Sequence, residues 1–344
     1  MLKTDARFRD DLMKIRGTIW IVALLLLLGA PCVRAATPLD WSIIGMFPKS
    51  VTEFGYADLN QARQFPWFPQ FEAQLVPVSL YGFEQFLESA QMQETSPIDQ
   101  VAWARVSPQS SNSESSGGGG SSELVGIATG NFDLKAIQSF LDSRNIPAIQ
   151  EDGEAVYASQ MDSGASDTYF TMIDSGTIAF GPLESLKQIL KTHKGEQENL
   201  LASETMMNLI GQANGQGTFW GVLDSDGAAA AIQRLVPEAA QFSGAHELIG
   251  KMKQVLVILR APGDFELDFQ GTSESPDDAI LLAQLLQAGL LYQQYRSSQS
   301  NPDLAQILEG ASIAPSGDQV EISLRLTDDQ MLGLIERNTF SFSM

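Results

Sequence analysis

The chain has 344 residues, of which 44% are hydrophobic and 18% are charged, and these proportions indicate a folded globular protein rather than a disordered or fibrous one. Its 21 Lys and Arg face 42 Asp and Glu, which argues against nucleic-acid binding because phosphates need clustered basic residues. One cysteine and two histidines exclude a disulfide framework and a zinc site built from Cys and His.

The N-terminus has the three parts of a secretory signal peptide. Residues 1–18 carry five basic and three acidic residues, an apolar run extends from Ile19 to Ala30, and Val33-Arg34-Ala35 precedes a cleavage point at Ala36. The apolar run is shorter than the ~20 residues that a spanning helix needs. We therefore expect a signal peptide over 1–35, cleavage near Ala35/Ala36 and a periplasmic or secreted protein without a membrane span. A retained N-terminal anchor over 19–33 is the alternative.

Loss of this leader would leave 15 basic and 39 acidic residues and no cysteine. Pro31 directly before Cys32 argues against lipid attachment at that cysteine. The strong negative charge favours solubility and repels nucleic acid and anionic lipid headgroups.

The segment after the leader combines a proline turn with a strand. It reads Ile43-Ile44-Gly45-Met46-Phe47-Pro48-Lys49-Ser50 and then Glu53-Phe54-Gly55-Tyr56-Ala57-Asp58-Leu59. This opening resembles that of certain uncharacterised exported bacterial proteins of unknown function. The resemblance is confined to this segment and carries no catalytic motif. It implies an α+β protein of the bacterial envelope.

Bulky rings cluster shortly afterwards, at Phe65, Trp67, Phe68 and Phe71, interrupted by two prolines. If exposed, they would form an anchor patch for a partner. The explanation we favour is that they cover one end of the first sheet, because aromatic rings readily close a hydrophobic core. The four residues are nevertheless the best candidates for an interaction patch in this sequence.

Alternating and apolar runs predict the strands, and capping residues predict the helices. Strands are predicted at Glu53–Leu59, Gln100–Ser107, Glu123–Asn131, Ala155–Ser159, Thr168–Asp174, Thr177–Phe180, Gly217–Leu223, Gln254–Arg260, Phe265–Thr272, near 311–314 and at Gln319–Leu326. Helices are predicted after Asp133, Pro182, Ser203, Asp224-Ser225-Asp226, Ser275 and Thr327. Residues 107–122, SPQSSNSESSGGGGSS, are typical of a flexible surface loop.

The order of elements is repeated, because β-α-β-β-α-β-β-α describes both 36–214 and 215–344. The repeat predicts an α+β protein of two ferredoxin-like units, each with an antiparallel sheet and helices packed on one face. Sequence identity between the halves is slight, so coincidence is the alternative. Within the second unit, Gln254–Arg260 is apolar on both faces and Gln319–Leu326 on one.

The longest apolar segment, Ala279–Leu291, follows a strong helix start at Ser275-Pro276-Asp277-Asp278. A helical stripe of Ala279, Leu282, Ala283, Leu286 and Leu290 is widened by Leu281 and Leu285. We expect a buried helix packed on a sheet rather than a membrane span, since Gln284 and Gln287 interrupt the segment.

Catalytic motifs are absent from the sequence. It contains no nucleophile elbow and no phosphate-binding loop, and Gly250 stands where a zinc-binding helix begun by His246-Glu247 needs its second histidine. Asp224-Ser225-Asp226-Gly227 resembles the start of a calcium loop, but Leu235 occupies the position of the bidentate glutamate, so helix capping explains the aspartates better. No catalytic, cofactor-binding or metal-binding residue is predicted.

We expect an exported, non-catalytic protein that acts by binding or assembly with an unknown protein or small-molecule partner and without a cofactor. A carboxylate-dependent hydrolase and a carrier of an apolar ligand are the alternatives. A deep cleft with two carboxylates ~5–10 Å apart would favour the hydrolase. A dry cavity beside Ala279–Leu291 would favour the carrier. A filled core with an exposed apolar patch would favour binding.

Overall fold

The computed structural model describes residues 36–70, 86–87, 90, 98–106, 123–159, 168–235, 245–261 and 264–336. Within them, twelve strands form one antiparallel sheet in the order β11-β12-β10-β9-β8-β1-β2-β3-β7-β6-β5-β4. The strands are β1 (Glu53–Asp58), β2 (Ile98–Val106), β3 (Glu123–Gly130), β4 (Ala148–Glu151), β5 (Glu154–Ala158), β6 (Tyr169–Asp174), β7 (Thr177–Gly181), β8 (Phe219–Asp224), β9 (Met252–Arg260), β10 (Phe265–Ser273), β11 (Ser312–Ser316) and β12 (Gln319–Leu326).

The helices of these residues are α1 (Trp41–Ile44), α2 (Leu59–Ala62), α3 (Leu134–Ser143), α4 (Leu183–His193), α5 (Glu204–Ala213), α6 (Ser225–Leu235), α7 (Ala245–Gly250), α8 (Pro276–Ser300), α9 (Pro302–Glu309) and α10 (Asp328–Glu336), with a 3₁₀ turn at Leu200–Ala202. The described helices include none that is both long enough and apolar enough to cross a membrane. The leader over 1–35 and the loop over 107–122 lie outside the described residues.

The pairing of β1 with β8 joins the two predicted halves into a single sheet. The boundary predicted at 214/215 lies in the turn before β8. Pairing in the centre leaves neither β1 nor β8 as an exposed edge. The outer edges are the short strands β4 and β11, and β11 contains Pro315, a residue that edge strands tolerate.

The ferredoxin-like architecture is not confirmed. In a split βαβ unit, the two strands joined by a helix are parallel and another strand lies between them. Here β1 and β2 are adjacent and antiparallel, and so are β8 and β9. The coarser prediction, an α+β protein with antiparallel strands, is correct.

Helices cover both faces of the sheet, so the expectation of helices on one face is wrong. On the first face, α1, α4 and α5 share one buried cluster with strand residues such as Phe54, Tyr56 and Trp220. On the second face, α3 and α10 share a buried cluster with strand residues such as Ile178 and Phe265. The central strands are apolar on both sides, and such strands need cover on each side to stay out of water.

Strands β9 and β12 follow their predicted patterns. Leu256 and Ile258 of β9 belong to the core of the first face, while Val255 lies in a cluster on the opposite face. In β12, Val320 and Leu326 are buried and the alternate positions Glu321, Ser323 and Arg325 are exposed. Strand β9 is therefore central, and β12 has one wet face.

The predicted helix caps are present. Asp133 Oδ1 accepts from the backbone N–H groups of Lys135 and Ala136 at 3.0 and 3.1 Å. Gln330 and Thr327 bond reciprocally, Thr327 N to Gln330 Oε1 at 3.0 Å and Gln330 N to Thr327 Oγ1 at 3.3 Å. Asp224 Oδ1 accepts from Asp226 N and Gly227 N at 3.1 and 2.9 Å, which confirms helix capping.

Substitution of Asp224 should separate the hydrogen-bonding role of this cap from its charge. Burial raises the pKa of Asp224, so the folded protein disfavours the carboxylate that caps α6. Asp224→Asn keeps an acceptor without the charge and should equal or exceed the wild-type stability at pH 7, while Asp224→Ala should lose about 1 kcal/mol. Urea unfolding of both variants measures this difference.

The effect should also depend on pH. Because the folded pKa is raised, the Asn advantage should shrink as the pH falls through that pKa and the wild-type carboxyl takes up a proton. An Asn variant as unstable as the Ala variant at pH 7 would contradict the capping role.

Candidate interaction surface

Helix α8 is fixed firmly at its N-terminus. Ser275 Oγ accepts from Asp278 N at 3.2 Å and Pro276 occupies the first turn. Lys251 Nζ lies 2.8 Å from Asp278 Oδ1. The hydrogen bonds from Lys251 and Ser275 hold the pKa of Asp278 below its usual value, so this contribution to stability is lost as the pH falls below about 4.

One side of α8 packs on the sheet and on neighbouring loops. Ala279, Leu282 and Ala283 are buried in a cluster with residues of β9 and β12, among them Val255 and Val320. Further along, Gln287 Nε2 donates to Ile313 O and Gln294 Nε2 to Leu308 O, both at 2.8 Å. Side chains thus occupy the interface where the alternative function, a carrier of an apolar ligand, would hold its ligand.

The opposite side of α8 is apolar and open to solvent. Five large side chains there have exposed fractions between 41% and 67%: Ile280, Leu281, Leu291, Tyr292 and Tyr295. They share one face of the helix with Gln284, Leu285 and Ala288, because successive members are spaced by one, three or four residues. We call these eight residues the α8 stripe.

The α8 stripe contains no charge. From Ala279 to Tyr295 the sequence has no Asp, Glu, Lys or Arg, although the whole chain carries a formal net charge of −21. Monomeric soluble proteins seldom expose a continuous apolar patch of more than a few hundred Å². The stripe therefore has the character of a contact surface.

The expectation that Leu281 and Leu285 would widen a buried stripe is wrong. Leu281 is 49% exposed and Leu285 only half-buried. Helix α8 packs near the edge of the sheet, against β11 and β12, which can cover only one side of it. The helix itself is confirmed and continues to Ser300.

The aromatic patch predicted at 65–71 is core where the structure describes it. Trp67 and Phe68 are fully buried, and Phe65 is half-buried and stacks on Trp67 with ring centroids 5.2 Å apart. Trp67 meets Phe265 of β10 edge-on at 5.7 Å, and its Nε1 donates to Asp328 Oδ1 at 3.1 Å. These rings are core, as the favoured explanation predicted, but they pack against β10 and α10 of the predicted second unit. Phe71 lies outside the described residues.

A second open surface is charged and internally paired. On the solvent-exposed face of β10 and β12, Arg325 Nη2 lies 2.7 Å from Glu266 Oε1, and Arg260 at the end of β9 pairs with Asp268. The hydrogen bond to Glu266 raises the pKa of Arg325. These cross-strand pairs stabilise the register of three strands, which accounts for them without a ligand.

A groove of about 290 Å³ lies between α9 and α10. It is lined by Asp303, Gln306, Ile307, Asp329, Gln330, Gly333 and Leu334. Two carboxylates are therefore present, but the lining offers no histidine, cysteine or lysine that would assign acid and base roles to them. In the part of the chain that the structure describes, no three His, Cys, Asp or Glu side chains could hold a metal ion together.

Comparison with known proteins adds little to this geometry. No protein-family model matches the chain, and no curated protein matches it either. One solved structure, "Structure of crystal form I of TP0453", aligns over 89% of this chain and 98% of its own, with 10% sequence identity and a TM-score of 0.42. A similarity at that level identifies neither a family nor a function.

The α8 stripe is not among the sequence-predicted surfaces, because an apolar helix is expected to be buried. A signal was nevertheless present. Its apolar residues surround most of the helix rather than a single stripe, and an amphipathic helix on a sheet buries only one such stripe. The excess of leucine and tyrosine on the other side is the feature that marks a second contact face.

Proposed function

We propose that the protein is exported and acts through contact with a macromolecular partner at the α8 stripe, without catalysing a reaction. The observation that carries this proposal is the uncharged, exposed stripe on an otherwise strongly acidic protein. A contiguous apolar surface of this kind favours protein association. The leader over 1–35 supports export to the bacterial envelope.

The backbone of α8 is firmly held, which makes the α8 stripe a rigid contact surface. Helix α8 is capped, ion-paired and packed along its inner side, so its outer side chains are held on a fixed backbone. A preorganised surface loses less conformational entropy on binding than a flexible one. This arrangement suits binding by a helix face.

In-cell photo-crosslinking tests the proposal. A benzoyl-phenylalanine residue replaces Tyr295, which is 67% exposed in the stripe, and a matched control replaces Trp41, which is 47% exposed in α1. We expect a light-dependent adduct of higher mass from position 295 and none from position 41. The adduct should disappear when Leu291→Lys is added, because a charge in a desolvated contact is strongly unfavourable.

Equal adduct yields from positions 295 and 41 would contradict a specific contact at the stripe. The same samples test export, because the intact mass of the wild-type protein should equal that of a chain that starts at Ala36. A recovered mass that includes residues 1–35 would contradict cleavage and favour the retained anchor.

We also propose that the two halves of the sheet are repeats of one unit that differs from a ferredoxin-like unit. Residues 54–58, FGYAD, and 220–224, WGVLD, share an aromatic-Gly pair and a final aspartate. Asp58 accepts from Gln61 N and Asp224 from Gly227 N, each three residues ahead. The pairing of Gly55 with Gly221 places the junction symmetrically between the halves. Superposition of β1-β2-β3-β7 on β8-β9-β10-β12 tests the repeat. A superposition that fails to bring the Asp58 and Asp224 caps together would contradict it.

A further inference from the structure

We infer that the occupant of the α8 stripe is the α8 stripe of a second copy of this chain, packed antiparallel across a two-fold axis. This inference rests on the proposed contact function of the stripe. It identifies the partner from the distribution of charge along α8, the small residues at its middle and the surface available.

The absence of charge on the stripe permits contact with a second copy, although the chain as a whole is strongly acidic. Two chains of high negative charge repel each other over most of their surfaces. The stripe adds nothing to this repulsion, because no charged side chain lies between Asp278 and Arg296. It is about 24 Å long, as 16 helical residues require.

The charges at the two ends of the stripe set the direction of pairing. Asp277 is exposed in the first turn of α8, and Arg296 is exposed just beyond Tyr295. In an antiparallel pair, Arg296 of each copy lies beside Asp277 of the other, and the helix dipoles oppose each other favourably. A parallel pair would instead place aspartate against aspartate and arginine against arginine.

The middle of the stripe permits close approach. Ala288 lies near the midpoint of the stripe and in the centre of its face, and an alanine lets two helices pack at the shorter end of the usual 8–10 Å separation. The larger residues lie on either side of it, Ile280 and Leu281 toward one end and Leu291, Tyr292 and Tyr295 toward the other. Antiparallel pairing therefore sets the aliphatic end of one copy against the aromatic end of the other.

The available surface is adequate for an interface between two copies. The five large side chains of the stripe leave roughly 600 Å² open to solvent in each copy, compared with ~800 Å² per partner in a standard-size interface. Leu285, Gln284 and the ends of the helix add to that area. A dimer that dissociates in the micromolar range is the expected outcome.

A charge-exchange experiment tests the pairing on the full chain as it is produced. Analytical ultracentrifugation should show a concentration-dependent dimer for the wild type. Asp277→Lys and Arg296→Glu should each raise the dissociation constant about tenfold or more, and the double variant or an equimolar mixture of the two should recover much of the affinity. Thermal unfolding of each variant checks that the fold is retained.

Disulfide trapping tests the direction of the helices. In a Cys32→Ser background, Ala288→Cys should form a disulfide-linked dimer, since position 288 meets its own copy near the axis. Leu281→Cys should not, because two copies of position 281 lie ~21 Å apart along antiparallel helices, far beyond disulfide reach. Crosslinking of both variants would overturn the antiparallel arrangement.

The outcomes separate this inference from the proposed function. A strictly monomeric protein that still gives the position-295 adduct in cells would overturn the second-copy assignment and leave the contact function standing. Sedimentation of the monomer with phosphatidylcholine vesicles, abolished by Leu291→Lys, would assign the stripe to lipid instead. A monomer with neither an adduct nor vesicle binding would overturn both proposals.

Discussion

Replacing Gly227 by alanine should destabilise the protein by about 3 kcal/mol or more, because the new methyl group has no room. A Cβ at this position would lie 2.2 Å from the carbonyl oxygen of Thr52. That oxygen accepts a hydrogen bond from Asp224 N at 3.0 Å. Moving the oxygen away from the new methyl group would therefore strain or break this hydrogen bond. Thr52 precedes β1, and the clash would strain the β1–β8 junction that holds the two halves of the sheet together.

Gly211 provides the matched control, since it also lies in a helix but has no neighbouring atom within 4 Å of the place that a Cβ would occupy. Gly211→Ala should stabilise the protein by about 0.5–1 kcal/mol through the higher helix propensity of alanine. Urea unfolding of both variants gives the comparison. Similar small changes at the two positions would contradict the close packing of α6 on Thr52.

The second large effect is expected at Trp67. Trp67→Ala should destabilise the protein by about 3–5 kcal/mol, the usual cost of removing a buried large aromatic ring. The ring is fully buried against Phe65 and Phe265, and its N–H is bonded to Asp328. Chemical denaturation monitored by circular dichroism measures the loss.

Trp67→Phe separates the ring from its hydrogen bond. It retains an aromatic ring in the core but leaves Asp328 without this donor, so we expect a smaller loss of about 1–2 kcal/mol. An exposed anchor for a partner would behave differently, because its truncation would weaken binding and leave the free energy of unfolding within about 0.5 kcal/mol of wild type. That result would contradict the placement of Trp67 in the core.

Local patterns predicted the elements well because their signals are local. The caps at Asp133, Asp224, Ser275 and Thr327 each depend on backbone groups within three residues, and all four helices begin where expected. The alternation of apolar and polar residues in β12 likewise predicts directly which side chains are exposed to solvent. Helix α9 was missed although Asn301-Pro302-Asp303 repeats the type of start seen at Ser275, and Asn301 Oδ1 accepts from Leu304 N.

Long-range organisation was not predictable in the same way. Strands β1 and β8 are more than 160 residues apart in the sequence, and no residue pattern within either strand indicates that they pair. The choice between one joined sheet and two separate ones depends on which edges meet, and a binary pattern does not encode that choice. The ferredoxin-like expectation is not confirmed because β1 and β2, and likewise β8 and β9, are adjacent and antiparallel.

The candidate surface illustrates a related limit. Hydropathy identified α8 correctly but could not tell a helix buried on all sides from one packed on a sheet edge with its outer side free. Burial depends on what the rest of the chain places around the helix. Among the described elements, β10, β11, β12, α7 and α9 contact α8, and its outer side is open to solvent. The aromatic cluster at 65–68 was ambiguous for the same physical reason.

Native mass spectrometry of the protein recovered from the producing cells tests the account most directly, with Leu291→Lys as the comparison. We predict a processed chain beginning at Ala36 that appears in complexes of two or more chains, and a Leu291→Lys protein that appears as single chains. Identical mass distributions for the two proteins would contradict an association that depends on the exposed side of α8.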